Sequence, residues 1–159
     1  MKKLTAFAVA MCIAMPLMAQ TNINLGGLSA DPNAPVEITA DTLNVDQDSG
    51  TATFTGNVLI GQGDLRLSAG SVEVVYAADT GDIARLLARG GVTFVTATEA
   101  AEAQTADYDL QSGLLTLEGD VLLTQGASAL SAGRMVINLT AGTAEMSGRV
   151  KTVFQQGNN

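Results

Sequence analysis

Apolar and polar positions alternate along most of the chain. Val36-Glu37-Ile38-Thr39-Ala40 shows the pattern, as do Leu43-Asn44-Val45, Ala52-Thr53-Phe54, Val72-Glu73-Val74, Leu115-Thr116-Leu117 and Met135-Val136-Ile137-Asn138-Leu139. A period of two predicts strands with one buried face. Turn-forming clusters punctuate these runs: Asp48-Ser49-Gly50, Gly61-Gln62-Gly63, Asp79-Thr80-Gly81, Gln111-Ser112-Gly113 and Thr140-Ala141-Gly142. Such spacing predicts hairpins and an all-β sandwich, jelly roll or barrel. No proline follows Pro35, which suits central strands. Two segments, Ile83 to Ala88 and Thr98 to Ala106, are rich in helix formers. Their place among the other hairpins makes both strands.

The pattern is also repeated. Gly50-TATFT-Gly56-Asn57-Val58, Gly113-LLTLE-Gly119-Asp120-Val121 and Gly142-TAEMS-Gly148-Arg149-Val150 share one layout. A looser copy runs from Gly81 to Gly90-Gly91-Val92 with three extra residues between its glycines. The first glycines stand 31, 32 and 29 residues apart, which marks one supersecondary unit copied in tandem. The first glycine of each copy is read as a turn at positive φ. The second lies within a strand and is read as a corner that bends every hairpin at the same level. In a longer match, Thr39-Ala40-Asp41 aligns with Thr105-Ala106-Asp107 at an offset of 66, and the offset becomes 63 beyond the Asp46–Ser49 turn. Leu67-Ser68-Ala69-Gly70 then matches Leu130-Ser131-Ala132-Gly133.

Composition narrows the chemistry. Lys2 and Lys3 precede an apolar run from Leu4 to Met15, twelve residues and too short to span a bilayer. With Leu17-Met18-Ala19 before Gln20, residues 1–19 read as a cleavable signal peptide. Cys12 does not make it a lipoprotein signal, because Met11 precedes it where a small residue belongs. Residues 20–35 read as a flexible, turn-rich lead, 36–154 as the folded domain and 155–159 as a tail. Export without a mature cysteine requires a packed core rather than disulfides.

The mature part would carry six basic and 16 acidic residues, a net charge of −10. That argues against nucleic acid as a partner. The chain has no histidine, so neither a Ser-His-Asp nor a Cys-His arrangement is available. No enzyme activity, cofactor or metal is expected. Asp46-Gln47-Asp48-Ser49-Gly50 resembles the start of a calcium loop, but Thr53 to Asn57 supplies no bidentate acid; a plain Asp/Ser/Gly turn is the expectation. What remains is a continuous aliphatic face, either a filled core or a greasy trough.

The ordered series Ile38-Thr-Ala-Asp41-Thr-Leu-Asn-Val-Asp46, Gly50-TATFT-Gly56-Asn-Val58, Gly61-Gln-Gly63 and Leu67-Ser-Ala-Gly-Ser-Val-Glu-Val74-Val-Tyr76 resembles the OstA-like family. Ala106-Asp107 to Leu139 resembles the same pattern again, and the likeness spans about residues 36–154. The resemblance implies a twisted antiparallel β-jelly roll of tandem hairpin repeats, open at its ends. It implies a periplasmic carrier that shields the lipid A acyl chains of lipopolysaccharide in an interior groove and bridges the inner and outer membranes. The implied partners are lipopolysaccharide, an LptC-like inner-membrane protein, an LptD-like outer-membrane translocon, and further copies of the chain joined by β-strand addition. On that reading the groove residues are Ile38, Phe54, Val58, Ile60, Leu67, Val74, Leu115, Leu117, Val121 and Ile137, with Thr53 and Thr116 facing outward. The alternative is an exported structural or adhesive repeat protein with a filled core and no lipid.

Overall fold

The computed structural model describes Ile23–Asn24, Asp31 and residues 33–154. The expected signal peptide, Cys12 and the tail lie outside the described residues. The alternating runs become eleven strands of one antiparallel sheet. They are β1 (Ile23–Asn24), β2 (Val36–Thr39), β3 (Thr42–Asp46), β4 (Thr51–Gln62), β5 (Leu65–Tyr76), β6 (Ile83–Val95), β7 (Glu99–Asp109), β8 (Leu114–Gln125), β9 (Ser128–Asn138), β10 (Thr143–Ser147) and β11 (Lys151–Val153). From β4 to β9 each strand pairs with the next, a plain meander. At one edge, β2 and β3 both pair with β4, as two halves of one interrupted strand. At the other, β10 and β11 both pair with β9. Within the expected flexible lead, Ile23–Asn24 pair with Ala144 and Thr143 of β10. Both segments rich in helix formers are strands, β6 and β7, because cross-strand pairing outweighs local propensity.

The second glycine of every copy is a corner. Gly56 and Asn57 have φ of 81° and 47°, Gly90 and Gly91 83° and 80°, Gly119 and Asp120 82° and 47°, and Gly148 and Arg149 79° and 49°. At each place two left-handed residues stand against one on the neighbouring strand, a β-bulge, and the ladder resumes beyond it. The bulges line up across the sheet and divide it into two leaves joined along the corner line. Where Gly70 and Gly133 face a corner, the backbones approach closely. A Cβ on Gly90 would lie 3.3 Å from the Gly70 Cα, and the Gly133 N–H donates to the Gly148 carbonyl at 2.7 Å.

The first glycines close hairpins. Asp46, Asp109 and Asn138 each accept two backbone N–H groups of their turn through Oδ1. These bonds favour the charged carboxylate, and the pKa values of Asp46 and Asp109 are lowered accordingly, chiefly by the backbone N–H groups of Ser49 and Ser112. The calcium-like segment is thus an ordinary turn. In the looser copy the extra residues Asp82, Ile83 and Ala84 add one further pair, Tyr76 with Ile83, and a bulge.

Register corrects the longer alignment. Thr42 faces Thr55 and Thr105 faces Glu118, so Thr42–Asp46 and Thr105–Asp109 are equivalent at a constant offset of 63. The Thr-Ala-Asp at position 39 falls instead at the break between β2 and β3. There the Asp41 N–H donates to the Gly56 carbonyl at 2.9 Å and its carboxylate accepts from Asn57.

The corner makes a direct prediction. Gly90→Ala should cost about 2 kcal/mol, because alanine at this φ is strained and its Cβ meets backbone. Asn57→Gly, which relieves a left-handed residue, should cost no more than about 0.5 kcal/mol. Denaturant midpoints read both; an unshifted midpoint for Gly90→Ala would contradict the corner.

Candidate functional site

The apolar faces of both leaves point at one another. Val58, Ile60, Leu67, Val74, Leu115, Leu117, Val121 and Ile137 are buried there, and Ile38 and Phe54 are half-buried against them. Thr53 and Thr116 alternate with these residues onto the outer face. The inner face is broader than the ten residues. Leu65, Val72, Leu86, Val92, Phe94, Leu123, Leu130, Met135 and Leu139 are also buried in it. In this state the leaves are packed together: Val72, Val74, Phe94, Leu123, Met135 and Ile137 have no exposed surface.

The interior face reaches the surface at both ends of the sheet. At the β3 edge Leu43 and Val45 stand opposite the inward Phe54 and Ala52, yet are 55% and 58% exposed. At the β11 end Val150 and Phe154 are exposed, Phe154 by 71%. The sheet does not close into a barrel: its order runs from β1 to β2 without joining them. Apolar side chains and strand edges are thus presented together at each end.

Polar inward residues, which the alternation did not single out, tie the strand tips. The Tyr108 hydroxyl donates to Gln62 Oε1 at 3.2 Å, a buried bond between residues 46 apart in sequence. Tyr108 lies on β7 beyond its bulge and Gln62 on β4 beyond its own, so the bond links the two leaves. Gln62 Nε2 in turn donates to the Ala34 carbonyl at 3.2 Å. On the neighbouring tips Gln125 Nε2 donates to Glu99 Oε1 at 2.7 Å, and the Thr96 N–H to the Glu99 carbonyl at 2.9 Å. Alternation alone puts Gln62 inward after Ile60 and Glu99 inward before Ala101; only their polar type argues for the outer face.

The outer face is charged. Arg85 pairs with Asp107, which holds the guanidinium pKa above its usual value, and Arg134 Nε lies 3.2 Å from Glu118 Oε1. Both pairs are exposed and contribute little. Among the described residues no group of three or more His, Cys, Asp or Glu side chains is placed to hold a metal ion, and no helix is long and apolar enough to cross a membrane.

The fold is an open, bent antiparallel jelly roll with an apolar interior and exposed apolar residues at both ends. The family model of the LptA/(LptD N-terminal domain) LPS transport protein matches residues 37–143, and the chain belongs to that family. An uncharacterised protein of Rhizobium meliloti (strain 1021) is 28% identical over 151 residues, 87% of this chain and 81% of that protein. In fold, the chain is similar to LptH, the LptA-homologous periplasmic component of the lipopolysaccharide transport device of Pseudomonas aeruginosa. The TM-score is 0.72 at 16% identity, covering 80% of this chain and 99% of LptH.

Burial raises the Tyr108 pKa. The folded state therefore keeps the phenol proton to higher pH than the unfolded chain does. The resulting stability is complete below the ordinary tyrosine value of about 10 and is lost as pH rises from there through the raised value. Tyr108→Phe should abolish that alkaline slope. It should also cost about 1–3 kcal/mol at neutral pH by stranding the Gln62 oxygen. Stability curves from neutral to alkaline pH read both; an unchanged slope in the variant would contradict the burial of Tyr108, and an unchanged stability at neutral pH would contradict the interleaf bond.

Proposed function

We propose that the chain, whose sheet with its flanking loops forms one domain over 36–154, is a periplasmic, non-enzymatic lipopolysaccharide carrier. The lipid A acyl chains lie between the two leaves and the sugars and phosphates stay in solvent. The observation that carries this reading is the continuous apolar face that emerges as Leu43 and Val45 at one end and as Val150 and Phe154 at the other. An acyl chain gains about 0.8 kcal/mol per buried methylene there, with no polar contact needed. The acidic surface disfavours gripping phosphates by charge, which suits a carrier that holds tails.

The exposed edges support a chain of copies joined by strand addition, with an LptC-like protein at one end and an LptD-like translocon at the other. Pairing also gives an otherwise aggregation-prone edge a use. The packed interior favours the alternative, a structural repeat protein without lipid. Family membership weighs against it, and the carrier reading requires the leaves to part when lipid enters.

A photo-crosslinking residue placed singly at Ile38, Phe54, Val58, Ile60, Leu67, Val74, Leu115, Leu117, Val121 and Ile137 should capture lipopolysaccharide in cells. Thr53 and Thr116 should stay unlabelled. Equal labelling from the two threonines, or none from the ten, would overturn the assignment.

A further inference from the structure

One inward side chain does not fit a purely apolar trough. Glu99 begins β7 on the same face as Ala101 and Ala103, and is only 3% exposed. Its Oε1 accepts from Gln125, while its buried Oε2 meets no donor among the described residues. Burying a carboxylate oxygen without a partner costs on the order of 1–3 kcal/mol or more, and such groups call for an explanation. The fold does not supply one, since the Gln125 bond and the Thr96 turn are complete without Oε2.

The floor beside Glu99 is unusual too. Along this half of β7 the inward residues are Ala101 and Ala103, whereas Ala101 is flanked by Phe94 on β6 and Leu123 on β8. The small alanine side chains leave a low lane along this half of β7, and it ends at the unpartnered oxygen.

We propose that this lane seats an acyl chain bearing a hydroxyl group, and that Glu99 Oε2 accepts the hydroxyl proton in a hydrogen bond. The inference rests on the interior being an acyl site. A carboxylate oxygen without a donor accepts a hydroxyl proton, and an unsubstituted acyl chain offers it none. It therefore selects a hydroxylated acyl chain over an unsubstituted one. No covalent step is involved. The alanines give room for the chain, and Gln125 fixes the carboxylate so that one oxygen stays free.

The test uses the mature protein and two neutral probes of equal length, methyl 3-hydroxytetradecanoate and methyl tetradecanoate. Wild type should bind the hydroxylated ester about tenfold more tightly, the scale of one hydrogen bond to a charged group. Glu99→Leu should bind the plain ester at least as well as wild type and lose the preference. Glu99→Gln, which keeps a neutral acceptor and the shape, should retain about a threefold preference; it also carries the test if the leucine variant fails to fold. Equal binding of the two esters by wild type, or an undiminished preference in the variants, would overturn the role of Glu99 while leaving the acyl site intact. Failure of wild type to bind either ester would overturn the acyl site itself, and this inference with it.

Discussion

The corner line is the constraint on which this structure depends. Strands of eleven to thirteen residues from β4 to β9 would otherwise make a sheet with one long exposed apolar face. A glycine followed by a second left-handed residue bends β4, β6 and β8 at the same level, and the neighbouring strands answer with one residue each. Inward positions step by four residues through the glycine corners, from Ala88 to Val92 and from Leu117 to Val121. They step by three in the strands between, from Ala69 to Val72, Ala103 to Ala106 and Ala132 to Met135. That difference keeps the apolar side chains inside on both leaves. A corner missed in one strand would turn half of it inside out.

Folding the sheet on itself buries the face but leaves its ends unfinished. In the middle the inward side chains are buried. At β3 and beyond β10 apolar residues are exposed beside open strand edges. The tips are held by a few polar bonds, of which the Tyr108–Gln62 contact crosses from leaf to leaf. On the carrier reading proposed above, the leaves part at these tips while the corner line holds.

Much of this was legible in the sequence because each repeat carries its own punctuation. The first glycines, the Asp and Asn turns and the corner glycines are local requirements of φ, and local requirements leave residue-type signatures. Alternation marked Val58, Ile60, Leu115 and Leu117 as inward for the same reason. Other features depend on distant neighbours. Thr39-Ala40-Asp41 mimics Thr105-Ala106-Asp107 in letters, but pairing with β4 places it at a strand break. Gln62, Glu99 and Tyr108 sit at inward positions of the alternation, but their polar type argues against burial, and the contacts that accommodate them come from across the sheet. The strand pairing of Ile23–Asn24 with β10 joins segments 119 residues apart and leaves no mark in either. Whether the interior is filled or open is a property of how the leaves meet, which no single strand encodes.

The central claim is that the packed leaves separate to admit acyl chains. Spin labels at Leu59 on the outer face of one leaf and Thr105 on that of the other would report their spacing, since β4 and β7 touch across the mouth. Pulsed electron paramagnetic resonance should give one short distance distribution for the lipid-free protein and a longer one on adding lipopolysaccharide. An identical distribution with lipopolysaccharide demonstrably bound would contradict the account, because the lipid would then sit somewhere other than between the leaves.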